Sequence, residues 1–216
     1  MNPSKIKGVI FDLDGTLIDS FQAIYLSFRH VYENMGMPTL SLEQVKSEIG
    51  LGLTRTFSEL LGPERVAEAL RLFDEKYVEI FRGNTFLLPG AQEVLTTLHA
   101  RGCKMAIATN KIGRYSRAIF KHFGMEKLFS AILGDKDVLQ IKPHPEMVYK
   151  AMAEMGTQKE ETIMVGDSLV DIETAHNAGV PILVIPTGLS KREDLEKARP
   201  DRILERLTDL LIITES

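Results

Sequence analysis

The stretch Val9-Ile10-Phe11-Asp12-Leu13-Asp14-Gly15-Thr16 decides the fold. An apolar run ends in two carboxylates one residue apart, followed by a glycine and a hydroxyl. Side chains in a strand alternate faces with a period of two, so Asp12 and Asp14 leave the last pleat on the same side. Like charges that close repel, and such pairs persist by sharing a proton or by binding a cation. Carboxylate oxygens suit Mg²⁺, which keeps several waters and takes further oxygens from a substrate phosphate. Gly15 permits a sharp exit from the strand. An ordinary strand-to-turn junction uses the same residue types, so the rest of the chain must choose between the two readings.

Working outward, four more apolar runs follow: Met105–Ala108, Ala131–Leu133, Thr162–Val165 and Pro181–Ile185. None alternates polar with apolar, as expected for strands covered on both faces. Helical stripes separate the later runs: Val94, Leu95 and Leu98; Ile119, Phe120 and Phe123; Val148, Met152 and Met155. Pro143 and Pro145 suit a helix start, and Gly102, Gly124, Gly156 and Gly179 fall where helices should stop. The pattern predicts an α/β fold: a doubly wound, five-stranded parallel, Rossmann-like sheet.

The segment after the first strand breaks that rhythm. Between Asp19 and Phe86 the periodicity is helical, with Phe21, Ile24, Phe28, Val31 and Met35 on one stripe and Val66, Leu70, Phe73, Tyr77 and Phe81 on another. A structureless loop of that length is implausible. The expected organisation is a core of residues 1–17 and 86–216 with an all-helical insertion, a cap, at 18–85. Hinged beside the acidic turn, the insertion would act as a lid that excludes water; packed rigidly on the sheet edge, it would be structural only.

The chain has 216 residues, with 26 basic against 30 acidic and a net charge of −4. No long run of one sign suggests a nucleic-acid footprint or a membrane-surface patch, and no apolar stretch approaches the ~20 residues that span a bilayer. A single cysteine, Cys103, excludes an internal disulfide and is read as a small buried hydrophobe. With no leader-like N-terminus, the expectation is a cytoplasmic protein, monomer or homodimer.

In parallel α/β sheets ligands gather beyond the carboxyl ends of the strands. That rule selects Asp12 and Asp14 after the first run, Thr109 and Asn110 after the second, Lys142 in the loop after the third, and Asp167, Ser168 and Asp171 after the fourth. Carboxylates, a hydroxyl and a lysine on one edge are the parts that metal-assisted phosphoryl transfer needs. Local structure offers rival readings. Thr109 would cap its turn, Ser168-x-x-Asp171 resembles a capping box, and Asn110 either lines a pocket or satisfies its loop. His144, between two prolines, is read as a helix-start residue, and Asp19 and Ser20 as the start of the first helix of the insertion.

Asp12-Leu13-Asp14-Gly15-Thr16, Thr109, Lys142 and Gly166-Asp167-x-x-x-Asp171 resemble, in order, the four motifs of the haloacid dehalogenase-like hydrolase superfamily. The insertion resembles that superfamily's helical cap of the first type. Asp-Gly-Thr-Leu-Ile-Asp-Ser, Lys-Pro-x-Pro and the Pro-Gly return resemble its phosphoglycolate phosphatase-like group. The resemblance implies a Mg²⁺-dependent phosphatase of small phosphorylated metabolites. Asp12 would be the nucleophile that forms an aspartyl-phosphate, and Asp14 the general acid and base, its carbonyl also on the metal. Thr109 and Lys142 would hold the phosphoryl group. Asp167 would complete the metal shell, with Asp171 holding metal-bound waters or Lys142.

Substrate choice would fall to the cap. Ile49–Arg55 resembles the substrate-facing loop of such caps, and Arg55 would grip a carboxylate or a second phosphate, or else stand at the surface as a helix-start arginine. Phosphoglycolate, pyrophosphate and nucleotides all suit that reading. Dehalogenases resemble this core but lack the second aspartate, so Asp14 argues against them. Phosphonatases use a cap lysine where this chain offers Arg55. β-Phosphoglucomutases usually carry Asp-Gly-Val and a histidine near the position of Ile24. A phosphomutase and a non-catalytic binding protein remain the lesser alternatives.

Overall fold

The structure is a computed structural model that describes residues 6–214. Residues 1–5, where no leader was read, and the outermost ends of the expected core lie outside the described residues. Strand β1 (Gly8–Phe11) sits inside a parallel sheet whose partners are β4 (Lys104–Ala108), β5 (Ala131–Leu133), β6 (Thr162–Gly166), β7 (Ile182–Val184) and β8 (Arg202–Ile203), in the order β5-β4-β1-β6-β7-β8. The five expected strands are present. The sheet has a sixth, β8, which sequence reading missed: it is two residues long, one of them an exposed arginine, and carries no apolar run.

Alternate residues of each strand face opposite layers, which is why the runs are apolar throughout. Val9 and Phe11 join Met105, Ile107, Ile163 and Val165 on one face. Ile10 joins Ala106, Ala108, Met164 and Val184 on the other. Helices α5 (Ala91–Ala100) and α6 (Gly113–His122) cover the first face, and α7 (Glu146–Met155), α8 (Leu169–Ala178) and α9 (Arg192–Lys197) the second. A short α10 (Asp209–Ile213) packs beside α5. Helix α7 begins directly after Pro145, and left-handed glycines, Gly156 and Gly179, end α7 and α8.

The chain leaves and re-enters this layer through a two-stranded antiparallel ribbon, β2 (Ile18–Asp19) with β3 (Phe86–Leu87). Between them stand α1 (Phe21–Asn34), α2 (Leu42–Glu48), α3 (Leu53–Leu61) and α4 (Val66–Ile80). Ser41 and Gln44 form the capping box that starts α2. Phe28, Phe57 and Phe73 meet at ring-centroid distances of 4.9, 5.8 and 6.1 Å, and Tyr77 packs on Tyr115 of α6 at 4.5 Å. The apolar core of the insertion therefore runs unbroken into that of the sheet. Among the described residues no helix is long and apolar enough to cross a membrane. Cys103 is half-buried, more open than expected, and burial pushes its thiol up to about 11.

Candidate active site

The register of the sheet places the chemistry. Phe11 pairs with Ile107 and with Val165, so the residues just beyond, on β1, β4 and β6, lie side by side. The Asp12 N–H donates to Val165 O at 2.8 Å and the Thr109 N–H to Leu133 O at 3.1 Å, carrying the ladder into the loops. Asp12, Lys142, Asp167 and Asp171 are all buried.

Lys142 is the hub. Its Nζ donates to Asp12 Oδ1 at 2.6 Å and to Asp171 Oδ1 at 2.7 Å. Its backbone is clamped by Asn110, whose Oδ1 accepts from Lys142 N at 2.9 Å and whose Nδ2 donates to Lys142 O at 2.9 Å. The same Nδ2 reaches Gly50 O of the insertion at 2.8 Å. Asn110 meets both readings: it borders the cavity, and its amide satisfies backbone on both sides. The Lys142–Pro143 peptide is cis.

Asp171 satisfies both sequence readings at once. Ser168 and Asp171 form the capping box of α8, and Asp171 Oδ2 accepts from the backbone N–H groups of Asp167 and Ser168 and from Ser168 Oγ. With Oδ1 on Lys142, both oxygens of Asp171 are hydrogen-bonded, so it anchors Lys142 while standing among the carboxylates that could hold a metal.

Asp167 is held differently. Thr16 Oγ1 donates to its Oδ1 at 2.9 Å and Leu189 N to its Oδ2 at 3.0 Å. The loop after β7 passes so close that a Cβ on Gly188 would come within 1.7 Å of Asp167 Oδ2. Any side chain there would have to displace the Asp167 carboxylate, a requirement of space. Sequence reading stopped at β6 and missed this loop.

Asp12, Asp167 and Asp171 can bring one oxygen each within 4.8 Å of one another. Fully ionised, three carboxylates against one ammonium would leave two negative charges, which a single divalent cation balances. Burial pushes the Asp12 carboxyl up; Lys142 pulls it back and Asp171 adds to the rise, for a result of about 6. Burial, then the charges of Asp12 and Asp171, hold Asp167 well above the usual carboxylate range. Burial opposes the charge on Lys142, but the Asp12 and Asp171 carboxylates reverse the effect and raise its proton affinity. These strained carboxylates and their oxygen-only donor set fit Mg²⁺.

Asp14 stands apart from this group. Its carboxylate accepts from Lys111 Nζ at 3.0 Å on both oxygens and from Ser20 Oγ on Oδ1. Its side chain is therefore not part of the metal cluster. Thr109 borders the same cavity, and its Oγ1 accepts from Lys111 N at 3.2 Å. Ser20 precedes α1 as expected, but its hydroxyl makes no cap bond and serves Asp14 instead.

The cavity over these groups has a volume of about 80 Å³, room for a few waters. The insertion walls it with Phe21, Ile24, Leu53, Thr56, Phe73 and Tyr77 and contributes no charged side chain. Arg55 is not brought there. It is exposed, pairs with Glu59 at 2.8 Å, and faces a separate open depression beside His144. Its place on the solvent side of α3 is the reason sequence order misled. His144 Nδ1 accepts from Glu146 N at 3.2 Å, a helix-start contact as expected.

This sheet edge, with an acidic strand end, a lysine hub and a helical insertion above, defines a phosphoryl-transfer enzyme. Residues 9–185 match the family model of the haloacid dehalogenase-like hydrolases, and the chain belongs to that family, in its phosphoglycolate phosphatase-like group. It is 37% identical over 216 residues to the pyrophosphatase PpaX of Halalkalibacterium halodurans, with 97% of each chain covered. It is 30% identical over 230 residues to the phosphoglycolate phosphatase of Salmonella typhi, covering 95% of this chain and 91% of that one. A crystal structure described as a predicted phosphoglycolate phosphatase from Haemophilus somnus superposes with a TM-score of 0.90 at 30% identity, covering 98% and 99% of the two chains. The protein is a phosphatase.

Proposed function

We propose that the protein is a Mg²⁺-dependent phosphatase of small phosphomonoesters, phosphoglycolate among them, working through an aspartyl-phosphate on Asp12. Residues 18–85 serve as its cap and residues 1–17 and 86–216 as its core. The observation that carries this reading is the Lys142 ammonium bridging Asp12 and Asp171 beside Asp167, with two negative charges in excess. Asp12 and Asp167 would hold the metal, which supplies charge neutralisation for the phosphoryl oxygens.

In the first half-reaction an Asp12 oxygen bonds to phosphorus, the ester P–O bond breaks, and Asp14 gives its proton to the departing alkoxide. In the second, Asp14 takes a proton from water as the water oxygen bonds to phosphorus and the Asp12–phosphorus bond breaks, releasing phosphate. Lys142 and the Thr109 hydroxyl stabilise the charge carried by the phosphoryl oxygens in both steps. Fixed donors in a buried pocket contribute more than they would in water.

The cavity is small, which favours a small leaving group; with no charged side chain of the insertion on it, the glycolate carboxylate would depend on core groups. A second reading, inorganic pyrophosphate, is favoured by the similarity to a protein named pyrophosphatase; the second phosphate would then depend on core groups alone. Phosphate release with Mg²⁺ from 2-phosphoglycolate, pyrophosphate, nucleoside monophosphates and sugar phosphates, scored by kcat/KM, decides between them. A preference for 2-phosphoglycolate supports the first reading, and a preference for pyrophosphate replaces it with the second. Absence of Mg²⁺-dependent release from every compound would refute both.

A further inference from the structure

Lys111 belongs to none of the four motifs, yet it is the second buried ammonium of the cavity, with a side chain 8% exposed. We propose that Lys111 is a positioning residue that aims Asp14 and ties it to the helical insertion. The proposal rests on the acid–base reading of Asp14 given above.

Donors and acceptors around Asp14 can be counted. An ammonium has three N–H donors and a carboxylate about four lone-pair sites. Lys111 Nζ lies 3.0 Å from Asp14 Oδ1, 3.0 Å from Asp14 Oδ2 and 3.0 Å from Ser20 Oγ. Ser20 in turn donates to Asp14 Oδ1. Oδ1 thus receives two bonds and Oδ2 one, which among the described residues leaves one lone pair of Oδ2 uncommitted. That oxygen is the one placed to carry the proton of each half-reaction. A carboxylate free to turn about its last bond would lose this aim, and misplacement of a proton donor is costly in rate.

Two parts of the arrangement come from the insertion. Ser20 immediately precedes α1, and the ring of Tyr77 on α4 lies 5.1 Å from Lys111 Nζ, a cation–π contact within the usual range. Tyr77 is itself stacked between Phe73 and Phe81, at 5.3 and 5.9 Å. Among the described residues its buried hydroxyl has no well-formed hydrogen-bond partner. Lys111 retains its charge in this setting: burial opposes it, and the Asp14 carboxylate more than reverses that effect. The aim of Asp14 therefore depends on where the insertion sits, which makes the acid–base group effective with the insertion in the position seen here.

The test is a double-mutant cycle on the full-length Mg²⁺-loaded enzyme with two probes of similar size, phenyl phosphate and para-nitrophenyl phosphate. Nitrophenolate leaves without a proton, whereas phenolate needs one. The kcat/KM for each probe reports the first half-reaction. Asp14→Asn should lower the phenyl phosphate value by about 10²–10⁴-fold. Lys111→Met should lower it by a share of that, about 10–100-fold, and the nitrophenyl value by less than about fivefold. In the Asp14→Asn background, Lys111→Met should add almost nothing, because its effect passes through Asp14. Ser20→Ala repeats the pattern in milder form and carries the test if Lys111→Met fails to fold. Equal losses on both probes, or additive losses in the cycle, would overturn the positioning role. An Asp14→Asn enzyme that keeps its phenyl phosphate activity would instead refute the acid–base reading beneath it.

Discussion

On the sheet edge Asp12, Lys142, Asp167 and Asp171 bury charge, whereas the insertion above them buries Phe28, Phe57, Phe73 and Tyr77 and sends no charge into the shared cavity. The first region works against its own stability: buried carboxylates are crowded together and raised in proton affinity. The second is stabilising, since each large side chain removed from water contributes ~1.5–3 kcal/mol. Charge and apolar packing are thus divided between two layers, joined by the Asn110–Gly50 bond, by Tyr77 on Tyr115 and by the Lys111 cluster.

The largest effect expected on stability comes from the aromatic side. Phe73→Ala removes a ring that touches Phe28, Phe57 and Tyr77 and should cost about 3–5 kcal/mol in a denaturant unfolding curve. A loss below about 1 kcal/mol would mean the insertion is not a packed unit.

The charged side should show itself in pH. The folded metal-free protein holds a proton on Asp12 up to about pH 6, while the unfolded chain releases it near pH 4. Between those values the folded state binds more protons, so stability from Asp12 falls as pH rises. Calorimetry in EDTA should give a lower Tm at pH 7 than at pH 5. Mg²⁺ should restore several degrees at pH 7 and less at pH 5. An EDTA profile that rises from pH 5 to 7, with no Mg²⁺ response, would contradict the picture.

A smaller break is Gly188→Ala. The added methyl meets Asp167 Oδ2, so Mg²⁺ affinity by titration calorimetry should fall about 10–100-fold, with little change in the far-ultraviolet spectrum. Unchanged Mg²⁺ binding would show that Asp167 is not a ligand. The smallest effect belongs to Arg55→Ala. With Arg55 exposed and paired to Glu59, kcat/KM on 2-phosphoglycolate should change less than about twofold; a tenfold loss would place Arg55 in the site after all.

Much of this was legible in the sequence because the sheet is simple. Strands buried on both faces announce themselves as unbroken apolar runs, and the strand-end rule then led to Asp12, Thr109, Asp167 and the loop bearing Lys142. What escaped did so for physical reasons. Strand β8 is too short to form a run. Gly188 acts through the space it leaves empty, which no side chain advertises. Lys111 sits one residue beyond Asn110, at a strand end already searched, but an isolated loop lysine gives no sign of burial until Asp14 and Ser20 are seen around it. Arg55 erred the other way: its residue type suited an anion, and only the rotation of α3 shows that it faces outward.

The central claim is that Asp12 carries the phosphoryl group. Rapid mixing of the Mg²⁺-loaded enzyme with excess substrate, an acid quench within one turnover, and mass spectrometry of the peptide containing Asp12 test it directly. That peptide should carry one added phosphoryl group, located at Asp12, and none in Asp12→Asn, which should also lose turnover by at least about 10³-fold. Phosphate found on another residue, or full turnover by Asp12→Asn, would contradict it.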